Sequence, residues 1–187
     1  QMRAWADSLS AKAGVTKFAV YQIIFALWLW KNSGDESGHS EDSVLVAGAF
    51  GRRDLEKFSR TIGYFVNMVV YRYRVGEWTK IGATPIEMAQ HSAAAISAAM
   101  EHGMYPFSRL IRECNVEDAD HLMDVSFLWA PESWLGGRDE SSNANAKAGL
   151  IVACSEKHIK FLFDAAQWEQ AELSLLLDSF LRVGHRL

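Results

Sequence analysis

Histidines are the first side chains to weigh for chemistry, and none of the six has a neighbour that would make it a general base. His121 and Asp124 lie three apart, but in a strand that spacing puts them on opposite faces, so a solvated or edge pair is expected rather than a dyad. His91 falls on the polar side of an Ala-rich helix, and His39, His158 and His185 fall in loops or at the chain end. His102 sits where a helix should end, a position that favours a cation. No serine lies in G-x-S-x-G, and G-x-G-x-x-G, Walker and zinc-protease motifs are missing. Gly48-Ala49-Phe50-Gly51-Arg52 follows a strand and offers slender ground for an anion-binding turn. Cys114 and Cys154 read as core residues, and two cysteines cannot build a disulfide framework or a four-thiolate zinc site. Asn67 is different. It is an amide inside the apolar run Phe65 to Val69, and burying it unpartnered would cost roughly 1–3 kcal/mol. It must hydrogen-bond something, either as a core amide that pins strand register or as a donor into a substrate channel.

The elements that must position these residues follow from periodicity. Residues 2–13 predict an amphipathic helix closed by Gly14, and Thr16 caps a second helix over 17–31 that is apolar around most of its circumference. A helix of that kind is buried on several sides. Residues 32–42 read as a polar surface loop, 43–50 as a buried strand and 54–61 as a turn or connection. Residues 64–75 carry the clearest strand, with Tyr71, Tyr73 and Val75 on one face and Val70, Arg72 and Arg74 on the other. A loop is expected over 76–83. Thr84-Pro85-Ile86-Glu87 has the residues of a capping box and opens a helix to about Met100, with Ile86, Ala89, Ala93, Ile96 and Met100 along one face. Pro106 starts a short helix over 107–114 with Leu110 and Ile111 inward. Strands follow at 122–129, 148–155 and 158–164, the last two as a hairpin, and a helix over 167–183 ends the chain. The segment 131–147 is a long loop, and such loops usually serve function or movement. This order predicts an α/β or α+β layered domain, a mixed sheet flanked by helices.

Composition narrows the class. The 187 residues are 49% hydrophobic, 12% aromatic and 22% charged, which describes a folded globular segment rather than a disordered one. A net charge of −4 argues against a nucleic-acid partner, since phosphate neutralisation needs clustered Lys and Arg. The most apolar stretch, 15–30, is shorter than the roughly 20 residues that span a bilayer, so no membrane partner is expected. A reducing, cytoplasmic setting is the simplest expectation from the cysteines. The chain opens on Gln1 in what reads as a helix, without a signal peptide pattern, so a piece of a longer polypeptide is expected.

Several segments, in order, resemble a known family. Ile62-Gly63-Tyr64-Phe65-Val66-Asn67 resembles the I-G-x-F-V-N motif of the condensation domains of nonribosomal peptide synthetases. Val44 to Arg52 resembles the strand ending in Gly-Arg that precedes it, and His102-Gly103-Met104-Tyr105-Pro106-Phe107 is similar to the (H/N)-Q-D-Y-P-F segment that follows. Residues 123–129 are similar to the family's P-L-F-x-V-x-F strand. Gly103-Met104 stands where the family has Gln-Asp, and Val46-Ala47-Gly48 where it has Gly-Thr-Pro.

The resemblance implies a chloramphenicol-acetyltransferase-like fold of two lobes with a reaction tunnel between them, and residues 1–187 as most of the C-terminal lobe. It implies an acyltransferase that forms an amide bond between a donor acyl group and an acceptor amine. Peptidyl and aminoacyl carrier proteins would present each on a phosphopantetheine arm, with no cofactor bound directly. The N-terminal lobe of the same domain would be the other partner. It would hold the catalytic H-H-x-x-x-D-G motif, which no histidine of this chain matches, so no catalytic residue carries over and the segment alone is expected to be inactive. By the same likeness Asn67 lies near the tunnel, while Arg52, Gly63, Phe65, Pro106 and Phe107 are structural motif positions and 131–147 is the crossover, or latch, toward the other lobe. Arg52, Arg53, Lys57 and Arg60 form either a rim for acidic carrier proteins or a solvated cluster. A condensation-like domain that has lost catalysis and recruits a carrier protein or tailoring enzyme is the alternative, and an unrelated α/β binding module is a third.

Overall fold

The helix Lys17–Asn32 (α2) buries nine of its 16 residues, and the other elements are arranged around it. The computed structural model describes residues 2–32, 43–51, 56–58, 60–116, 125–135, 149–163 and 169–186. Helix Met2–Ala13 (α1) precedes α2, and Gly14 turns between them at φ +66°, a backbone conformation that side-chain-bearing residues rarely adopt. The Ala19 N–H donates to the Thr16 hydroxyl at 3.3 Å, which is the cap expected of that threonine.

Strands Val44–Gly51 (β1), Val66–Tyr73 (β2), Val125–Trp129 (β3), Leu150–Cys154 (β4) and Ile159–Phe163 (β5) form one mixed sheet in the order β2-β1-β3-β4-β5. The central pairs, β1 with β3 and β3 with β4, are parallel, and the outer strands β2 and β5 are antiparallel to their neighbours. Helix Pro85–Glu101 (α4) packs on α2 and β2, held where the buried Ser92 hydroxyl donates to the Ala19 carbonyl at 2.9 Å. The last helix, Gln170–Arg186 (α7), closes the core from the other side. The Trp28 indole donates to Ser179 Oγ at 2.7 Å, and the ring meets Phe180 and Phe161 edge-on at 5.9 and 6.2 Å. Gln22 is fully buried in α2, and its amide has no hydrogen-bond partner among the described residues.

The structure departs from the sequence expectations in several places. Residues 76–83 are not all loop, because Val75–Lys80 is a helix (α3). Gly76 is a poor helix former, but Trp78 is buried against Tyr73 and stacks on His91 at 6.1 Å, and that burial outweighs propensity. Strand β2 begins at Val66 rather than Tyr64, and Ile62 and Tyr64 are exposed. On α4, Ala89, Ser92 and Ile96 are the buried residues, while Ile86 and Met100 remain exposed at the two ends. Leu110 and Ile111 of the short helix Phe107–Glu113 (α5) are half-buried, and Cys114 at its end is exposed instead of in the core. Cys154 is buried as expected, and burial pushes its thiol pKa upward. Arg52, Arg53, His121, Asp124 and most of 131–147 lie outside the described residues.

One helical turn, Glu132–Leu135 (α6), stands at the start of that long segment. Its Glu132 carboxylate accepts from the Ser155 hydroxyl at 2.7 Å, from the Lys157 N–H at 3.1 Å and from His158 Nδ1. No partner for His158 could be read from the sequence, because Glu132 is 26 residues away and the β4–β5 turn brings them together. Ser155 first, then His158 and the Lys157 N–H, hold the Glu132 carboxyl below its ordinary value, against the opposing effect of partial desolvation.

Two stability outcomes follow from these contacts. Thr84 and Glu87 form a complete capping box, so Thr84→Ala should cost about 1 kcal/mol in urea unfolding while Thr84→Asp keeps most of it. A carboxylate whose pKa is depressed on folding stabilises above its unfolded pKa and loses that contribution as pH falls through the folded one. The urea midpoint of the parent chain should therefore drop more between about pH 5 and pH 3 than that of Glu132→Gln, and equal drops would remove the role given to this carboxylate.

Candidate functional site

Helix α4 ends at Glu101, with His102 as its C-cap, and the chain turns through 102–106 before Pro106, at φ −63°, starts α5. The turn is tight. The Gly103 N–H donates to the Met100 carbonyl at 2.9 Å and the Tyr105 N–H to the His102 carbonyl at 2.8 Å. That leaves the carbonyls of Gly103 and Tyr105 pointing away from any helix, and they need donors from elsewhere. Asn67 supplies both. Its Nδ2 donates to the Gly103 carbonyl at 2.9 Å and to the Tyr105 carbonyl at 2.7 Å, while its Oδ1 accepts from the Phe107 N–H at 3.3 Å. The amide of a β2 residue thus ties that strand to a segment some 36 to 40 residues later.

The other motif positions make contacts of their own. Phe107 is half-buried beside Asn67, and Phe65 is half-buried with its ring 5.5 Å from that of Phe58. A Cβ on Gly63 would come within 3.0 Å of the Phe65 ring, so glycine lets that ring fold over the chain. Arg109 Nε donates to Glu113 at 2.6 Å and stands over the Tyr105 ring at 5.5 Å, and the Tyr105 hydroxyl donates to Glu113. Arg60 is exposed, and Arg52 lies outside the described residues.

Phe50 connects the clamp to a cleft. The β1–β2 register places it opposite Asn67, and its ring lies against Gly103, where a Cβ would sit 2.5 Å from Phe50 Cε1. The cleft, of about 510 Å³, opens between the start of α2, the end of α4 and the ends of β1 and β3. Phe18, Phe50, Tyr71, Ile96, Met100 and Phe127 are among its walls. Tyr71 lies flat beside Gly48, where a Cβ would come within 2.7 Å of its ring, so a glycine in β1 makes the room. At the mouth Lys17 Nζ pairs with Asp7 at 2.8 Å and with Glu156 at 2.6 Å. These two carboxylates hold the ammonium pKa well above its usual value. This cleft was not legible in the sequence, because its lining comes from α2, α4, β1, β2, β3 and the β4–β5 turn. Among the described residues, no group of three or more His, Cys, Asp or Glu side chains is arranged to hold a metal ion, and no single helix is long and apolar enough to cross a membrane.

Comparison with known proteins gives the family from the sequence and the fold from solved structures. A condensation domain family model matches residues 2–181. Among curated proteins, the chain is 32% identical over 122 residues to the probable non-canonical nonribosomal peptide synthetase CymA of Salinispora arenicola, covering 65% of this chain and 1% of that protein. It is 25% identical over 111 residues to N-(5-amino-5-carboxypentanoyl)-L-cysteinyl-D-valine synthase of Amycolatopsis lactamdurans, covering 59% of this chain and 3% of that one. Among solved structures, the condensation domain of the monacolin K polyketide synthase MokA superposes with a TM-score of 0.69 at 14% identity, covering 98% of this chain and 44% of that chain. The first condensation domain of the CDA synthetase does so with a TM-score of 0.69 at 12% identity, covering 98% and 42%. Structural likeness at such identities shows the fold alone, and the chain spans less than half of the solved domains it matches. With the family match running over 2–181 and the mixed five-stranded α/β fold agreeing, the chain belongs to the condensation domain family.

Proposed function

We propose that these residues are most of the C-terminal lobe of a condensation domain, acting in amide bond formation between a donor acyl group and an acceptor amine. Peptidyl and aminoacyl carrier proteins deliver both on phosphopantetheine arms, and the N-terminal lobe supplies the H-H-x-x-x-D-G base that this chain lacks. The observation that carries the proposal is the Asn67 clamp. It joins the two motif segments, 62–67 and 102–107, and backs them onto Phe50 at the wall of the cleft. Both amide N–H groups are occupied within the chain, so Asn67 serves the tunnel as a positioning residue, through the turn it holds. Pro106 and Phe107 carry that same turn into α5, and Gly63 and Phe65, with Arg52 outside the described residues, are the remaining structural motif positions of this reading.

Rigid placement is what such a reaction asks of the lobe. Holding two tethered reactants in attack geometry can lower a barrier by roughly 7–11 kcal/mol, and a shift of about 1 Å can cost a hundredfold. A wall that moves with a loosened turn would forfeit part of that gain.

In the full parent polypeptide, Asn67→Ala strips two carbonyls and one N–H of their partner, at roughly 1–3 kcal/mol of stability. Amide formation per folded molecule should fall about tenfold or more, because the turn behind Phe50 is freed. An unchanged rate per folded molecule would remove Asn67 from the tunnel. The 187-residue chain by itself, mixed with two thioester-loaded carriers, should yield no amide, and turnover would overthrow the division of labour between lobes. A parent polypeptide with an altered H-H-x-x-x-D-G and no amide product would favour the recruiting alternative.

A further inference from the structure

The cleft beside Phe50 has a chemistry of its own. Its volume of about 510 Å³ falls within the roughly 300–1,000 Å³ of small-molecule sites. Its walls are aromatic and aliphatic, and the one titratable side chain deep among them, Tyr71, keeps its proton, since burial pushes the phenol up to about 12. The interior therefore carries no charge near neutral pH. Lys17 and Glu156 at the mouth are bonded to each other at 2.6 Å, and Asp7 takes a further contact to the ammonium at 2.8 Å. Among the described residues that line the cleft, Lys17 is the cation, and it is already paired, so a charged group driven inward would lose its hydration without compensation from them. An apolar group, by contrast, gains from leaving water for such walls. Gly48 makes room for the Tyr71 ring and Gly103 for the Phe50 ring, so two of the cleft's walls lie close against the backbone.

We propose that this cleft takes the uncharged aromatic or branched aliphatic side chain of a thioester-borne substrate, selecting it over charged side chains. The proposal rests on the amide-forming role argued above and names the substrate class for that site. Met100, on the exposed end of α4, is its gatepost.

The test uses the parent polypeptide and a photoreactive probe, N-acetyl-4-benzoylphenylalaninamide, with the labelled peptides mapped by mass spectrometry. Label is expected on the peptides carrying Phe50, Met100 or Trp129. Excess N-acetylphenylalaninamide or N-acetylleucinamide should suppress it at concentrations about tenfold lower than N-acetylaspartic acid amide or N-acetyllysinamide require. Met100→Trp, which fills the cleft from an exposed position, should cut label on the Phe50 and Trp129 peptides about tenfold. Met104→Trp, exposed and outside the cleft, should leave those peptides labelled. Absence of label from all three peptides, equal competition by charged and apolar amides, or unchanged labelling in Met100→Trp would each overturn the proposal. Labelling needs no amide product, so this substrate class and the amide-forming role fail by separate measurements.

Discussion

A side-chain amide in the middle of an apolar strand must find partners, and a turn that leaves a helix must find donors for its carbonyls. Asn67 and the segment 102–107 meet both needs at once. Neither group could be buried well without the other. That mutual need explains why two short motifs, separated by most of β2 and the helices α3 and α4, act as one piece. It also fixes the wall of the cleft, because the same turn presents Gly103 to the face of Phe50. The departure from Gln to Gly at position 103 has a steric meaning here: any side chain would collide with that ring.

The rest of the fold keeps this junction still. Helix α2 is apolar around nearly its whole circumference, so it can be covered only by several elements, and α1, α4, α7 and the sheet all pack on it. The aromatic contacts of Trp28 with Phe180 and Phe161 bring the end of the chain onto its beginning. On the far edge of the cleft, Lys17 joins α1, the start of α2 and the β4–β5 turn through Asp7 and Glu156, and that same turn holds Glu132. These exposed pairs add little to stability individually. Their use is geometric, since they set the distance between the turn and the start of α2.

Local pattern was legible for most elements. The capping box at Thr84, the Gly14 turn, the Thr16 cap and the split faces of β2 at Tyr71 and Tyr73 follow from short-range chemistry, and each is present. Helix α3 was not legible, because Gly76 lowers its local propensity and the burial of Trp78 that stabilises it depends on Tyr73 and His91. The exposure of Cys114 was missed for a related reason, since hydrophobic character alone does not say which end of a short helix meets the core.

By itself, the sequence determined the classes of most elements, the layered α/β architecture, the family likeness and the demand that Asn67 be hydrogen-bonded. These depend on residue type and spacing within a window of a few turns, where steric and hydrogen-bonding rules act locally. Tertiary structure alone decided which groups answer Asn67, that Glu132 and His158 pair, and that five elements leave a cleft between them. Such facts arise from contacts between residues tens of positions apart, and a linear chain does not specify them until its core has packed.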